Sequence, residues 1–78
     1  MGELKIVFST HAREQLVDRR IPAEWVELTI SAPLKAVVHG RKFFAYRAFG
    51  RLYLKVVFVR DKEQTVVVTQ HFVKKLPL

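Results

Sequence analysis

The chain has no cysteine among its 78 residues. That removes disulfides, thiolate nucleophiles and cysteine-bearing zinc sites together, and it predicts a reducing, cytoplasmic setting. It has three glycines and three prolines, so turns must fall at few positions, and none forms a glycine-rich phosphate loop. A nucleophile elbow, a carboxylate pair, internal repeats and low-complexity tracts are also missing. Long hydrophobic runs are absent: Val56-Val57-Phe58-Val59 is far too short to span a bilayer. The start, Met1 to Lys5, is charged and its apolar run is only Ile6-Val7-Phe8, so no secretory leader is expected. Acid is the scarcest charge, with seven Asp and Glu against fourteen Lys and Arg.

What is present fits one domain over residues 1–78. A chain this short buries about 60–65% of its unfolded surface, which allows one thin core, and half of its residues are hydrophobic. The net charge of +7 is unevenly placed. Residues 1–33 hold four basic and five acidic groups, whereas residues 34–78 hold ten basic and two acidic ones. Such a field attracts nucleic acid or another acidic surface and speeds encounter.

The pattern changes at Leu34. Before it, Leu4, Ile6 and Phe8 alternate as in a short strand, and Ser9 and Thr10 are candidate helix caps. A first helix is predicted from His11 to Arg19 or Arg20, with Ala12, Leu16 and Val17 inward and His11, Gln15 and Arg19 sharing another face. Pro22 suits the start of a second helix, Glu24 and Glu27 suit its dipole, and Trp25, Val26, Leu28 and Ile30 supply its apolar stripe. Ser31-Ala32-Pro33 ends it. Strands then follow over 35–39, 42–49, 52–60 and 65–73, punctuated by Gly40-Arg41, Gly50-Arg51 and the polar turn 61–64. Helices followed by strands define an α+β domain: two helices on a four-stranded antiparallel sheet, with a short extra N-terminal strand as an option.

Alternation sorts the strand faces. Leu52, Leu54, Val56 and Phe58 form the face that meets the helices, leaving Tyr53 and Lys55 on the other. With no bulge in between, Thr69 and His71 share the face of Lys55. The aromatic strand 42–49 does not sort itself, so either Arg47 or Tyr46 joins them. Cations beside exposed rings suit single-stranded nucleic acid, where each stacked base contributes about 1–3 kcal/mol. Arg41, Lys42, Arg47 and Tyr53 are the expected RNA-binding residues. The plainer alternative is a solvated sheet face.

The segments Ser9-Thr10-His11-Ala12-Arg13, Arg19-Arg20-Ile21 with Glu24, Leu54-Lys55-Val56-Val57 and Val66-Val67-Val68-Thr69 resemble a bacterial and archaeal family, domain of unknown function 4258. The likeness runs from about Phe8 to His71. That family is similar in turn to RelE/ParE-like and BrnT-like toxins of toxin–antitoxin pairs. The resemblance implies two helices before a four-stranded antiparallel sheet, and a metal-independent ribonuclease, often ribosome-associated, restrained by an acidic antitoxin. His11, Arg20, Lys55, Thr69 and His71 are its catalytic candidates. His71 stands where the family often has tyrosine.

Metal-free RNA cleavage needs a base for the ribose 2′-OH, cations for the phosphoryl oxygens, and an acid for the departing 5′-oxygen. Histidine suits either proton role, and Arg, Lys and a hydroxyl suit the rest. His11 and His71 are thus the proton-transfer candidates, Arg20 and Lys55 the phosphate stabilisers, and Thr69 the positioning hydroxyl. No cofactor is implied. The spacing of His11, His39 and His71 does not match a zinc site. A non-catalytic RNA- or protein-binding module, such as a ParE-like inhibitor, shares the basic sheet and stands as the alternative.

Overall fold

The computed structural model describes residues 5–77. The strand-forming stretches after Leu34 build an antiparallel meander of β2 (Lys35–His39), β3 (Lys42–Phe49), β4 (Leu52–Asp61) and β5 (Gln64–Val73). Two-residue loops close its hairpins, since His39 faces Lys42 and Phe49 faces Leu52. Gly40 and Gly50 take φ of +64° and +68° at the first loop position, where a side chain would be strained. Lys62 occupies the same left-handed region at the third hairpin, with φ of 57°.

The expected α+β class holds, with two helices on one sheet; the optional N-terminal strand is present and makes the sheet five-stranded and mixed rather than four-stranded and antiparallel. The short N-terminal strand β1 (Lys5–Phe8) pairs parallel with β5, Val7 opposite Val66, and gives the order β1-β5-β4-β3-β2. Period-two alternation marks such a strand but not its partner or direction, because no hairpin joins β1 to β5. Leu4, assigned to this strand from the sequence, lies outside the described residues.

Both helices lie on one sheet face: α1 (Thr10–Asp18) over β5 and β1, and α2 (Ala23–Ser31) over β4 and β3. Ser9 caps α1, its hydroxyl accepting the Ala12 N–H at 3.1 Å. The other end of α1 is a Schellman turn: Ile21 N–H donates to the Leu16 carbonyl and Arg20 N–H to that of Val17. Arg20 holds the left-handed position of this turn, with φ of 54°. Pro22 is the N-cap of α2 rather than its first residue, and Glu24 stands in the first turn. Ala12, Ile21, Val26, Ala45, Leu54, Val56, Phe58 and Val67 form the core.

Three expected core positions face outward instead. Val17 is 76% exposed, Leu28 40% and Trp25 38%. Two short helices cover the sheet through narrow stripes (Ala12 and Leu16 on α1, Val26 and Ile30 on α2), so neighbouring apolar residues fall on the flanks. Trp25 nonetheless stacks on Phe49 at 4.4 Å between centroids and meets the edge of Phe72.

A bulge interrupts the β4–β5 ladder. Val57 faces Thr69 but Phe58 faces Val67, leaving Val68 unmatched. Parity therefore reverses within β5: Val67 and Thr65 join Gln70 and Phe72 on the helix side, contrary to an unbroken alternation. The extra residue carries no sequence mark. Lys55, Thr69 and His71 all lie on one side of the bulge, so their shared face survives it. No helix among the described residues is long and apolar enough to cross a membrane.

Candidate functional site

On the face without helices, the strand registers line up one row across the sheet. Lys35 faces Tyr46, Tyr46 faces Lys55, and Lys55 faces His71. Neighbouring strands lie about 4.8 Å apart, so the row spans about 14 Å. The next row reads Val37, Phe44, Val57 and Thr69. Lys55 extends over it, its Nζ 4.8 Å from the Phe44 ring centroid, an arrangement that lays a cation on an aromatic face. Tyr53 shares this side, opposite Val73.

His71 is half-buried. Its pKa is lowered by loss of solvent, then by the charges of Lys55 and Arg19. All three effects disfavour imidazolium and favour the neutral ring, in which one nitrogen can accept a proton. Arg19 is the C-cap of α1, and its charge is the last of the three causes of the His71 shift.

Gln15 fastens α1 in this position. Its Oε1 accepts from the Thr69 hydroxyl at 2.5 Å and from the Gln70 backbone N–H at 3.2 Å. Gln70 returns the contact, its Nε2 donating to the Ala12 carbonyl at 2.7 Å. The physical need is clear in the topology: β1 ends opposite Val67, and beyond it the edge of β5 has no strand neighbour among the described residues. A glutamine side chain meets that edge instead.

The last residues also use this face. Lys35 Nζ donates to the Pro77 carbonyl at 2.8 Å, which carries the C-terminal tail from β5 across to β2. Tyr46 lies in the row where the tail arrives and is only 5% exposed. Burial raises its hydroxyl pKa, so it stays a neutral donor.

Of the residues expected from sequence, Lys55, Thr69, His71 and Tyr53 come together on this face. Arg47 does not: its Nη1 donates to the Ala32 carbonyl at 2.6 Å on the helix side, and Tyr46 takes the place left open between them. Lys42 is on the same face as Tyr46 but four residues along β3, about 13 Å away, with Arg41 beside it in the β2–β3 loop. His11 is exposed on the first turn of α1. It lies eight residues before Arg19, about 12 Å along the helix axis, and Gln15 rather than His11 reaches Thr69. Arg20 is exposed, and the adjacent Arg19 is the cation acting on His71. Among the described residues no three His, Asp or Glu gather as metal ligands do.

Sequence reasoning passed over Arg19, Gln15 and Lys35 as site residues. The first two share the i, i+4, i+8 stripe with His11, which was the available signal. Lys35 was identifiable only through its register with Tyr46. In comparisons with protein-family models, curated proteins and solved structures, the chain matches none.

Proposed function

We propose that the helix-free face grips a single-stranded RNA backbone and cleaves it without a metal. The observation that carries this reading is His71 directly opposite Lys55 on the face without helices, its pKa lowered by burial and by the charges of Lys55 and Arg19. His71 takes the proton of a ribose 2′-OH as the oxygen attacks the adjacent phosphorus. Lys55 and Arg19 offset charge on the phosphoryl oxygens, and the Lys55 ammonium returns a proton to the 5′-oxygen as the P–O5′ bond breaks. The products are a 2′,3′-cyclic phosphate and a 5′-hydroxyl. Tyr53 offers a ring for base stacking. Thr69, already bonded to Gln15, positions rather than reacts, while His11, Arg20, Arg41 and Lys42 serve capture of the strand.

This chemistry suits a toxin-like ribonuclease of the cytosol, restrained by an acidic antitoxin that covers the same cations. The test is incubation of nuclease-free protein with a defined single-stranded RNA, followed by end-group analysis. Cyclic-phosphate ends that vanish with His71→Ala support the reading, and equal cutting by the two proteins rejects it. A second reading, a non-catalytic polyanion-binding module, draws on the 12 Å helical offset of His11, which leaves one imidazole at the cluster. It predicts binding without cleavage.

A further inference from the structure

Among the described residues, the sheet has an edge without a strand neighbour at the far end from His71 of the row that joins Lys35, Tyr46, Lys55 and His71. β2 ends the strand order, three strands from β5. Every second residue of an edge strand turns its N–H and C=O outward, ready to pair with another chain. The common protections are lacking here: β2 reads Lys35-Ala36-Val37-Val38-His39, with no proline and one lysine, and Lys35 is engaged by the tail.

The apolar side chains on the helix side of this edge are also exposed. Ala36 and Val38 pair with Ala45 and Phe43, so they face the helix side. The helices stop short of them, since α2 packs on β4 and β3. Val38 is 63% exposed and Leu34, one step before Ala36 on the same face, is 61% exposed. An apolar shelf thus adjoins unpaired backbone.

Charge identifies the occupant. Residues 34–49 contain Lys35, Arg41, Lys42 and Arg47 and no acid. A second copy would set these four cations against four more. An acidic chain meets them favourably. We propose that β2 receives an extended segment of an acidic protein by strand addition. Its apolar residues, at alternate positions, lie on the helix side against Leu34, Ala36 and Val38. Its Asp or Glu residues lie on the opposite side, near Lys35, His39 and Lys42. Main-chain bonds supply affinity, and the alternation supplies specificity. The added strand touches this row only at Lys35 and leaves Lys55 and His71 open, so this partner is distinct from one that covers the Lys55 and Arg19 cations.

The experiment titrates the full chain with a blocked ten-residue peptide of alternating valine and glutamate, read by backbone amide NMR. A peptide of the same composition in scrambled order is the control. The expected result is saturable shifts in residues 34–39, at least tenfold weaker binding by Val38→Glu, and unchanged binding by His71→Ala. Val38 is exposed, and circular dichroism checks that its variant keeps the native spectrum. Three results overturn the proposal: equal binding of the scrambled peptide, shifts confined to the Lys55–His71 row, or a concentration-dependent dimer in sedimentation that Val38→Glu abolishes. Because the readout is binding at β2, its failure leaves the ribonuclease test untouched.

Discussion

Lys55 and His71 stand directly opposite each other in the β4–β5 ladder, both on the face without helices. This pairing sets a positive charge beside a titrating ring, and Arg19 adds a second from the end of α1. The ring is thereby biased toward its neutral form by elements far apart in sequence.

The first prediction concerns that bias. Lys55→Met should raise the His71 pKa toward the ordinary value of about 6.5, and Arg19→Met should do so to a smaller degree, following the order of the two charges. NMR titration of the imidazole carbon-bound protons measures both. An unchanged midpoint in Lys55→Met would sink the electrostatic account.

The same bias links folding to pH. The folded-state pKa of His71 lies below its unfolded value, so the unfolded chain binds the proton more readily. The contribution of His71 is therefore present above about pH 6.5 and is lost as pH falls through the lower folded value. Urea midpoints between pH 7.5 and pH 5 should fall less for His71→Gln than for wild type.

Catalysis separates the two histidines. His71→Ala should lower RNA cleavage about 10²–10⁴-fold, the usual worth of a positioned acid or base, with RNA affinity nearly intact. His11→Ala should change cleavage less than tenfold. Single-turnover rates and filter binding on the same samples distinguish these effects.

Gln15 joins helix to sheet, so Gln15→Ala should destabilise the fold by about 1–3 kcal/mol, the cost of stranding the Gln70 N–H beneath α1. Denaturant unfolding measures this. Amide exchange should become faster at Gln70 before it does at Leu54.

Arg20 holds a backbone conformation that glycine adopts without strain. Arg20→Gly should stabilise the protein by about 0.5–1 kcal/mol while weakening RNA binding modestly through the lost charge. A loss of stability would mean that the arginine side chain contributes packing not evident at an exposed position.

Much of the architecture was legible residue by residue. Ser9 as cap, the glycine turns and the four strands of the meander follow from local chemistry, because capping, positive φ and alternation are properties of a few adjacent residues. Part of the site was legible too: Lys55, Thr69 and His71 were placed on one face by counting in twos. Arg47 was not separable from Tyr46, since both faces of β3 carry aromatic groups and only the register with β4 and the Arg47 bond to the Ala32 carbonyl tell them apart.

The sequence alone determined the α+β order, the turns and the concentration of positive charge after Leu34, all of which arise from near neighbours. Tertiary structure alone decided that β1 joins β5 in parallel, that Val68 bulges, that the tail reaches Lys35, and that Arg19 rather than Arg20 acts on His71. Those are meetings between residues distant along the chain, set by which surfaces can be buried together, and no short-range pattern encodes them.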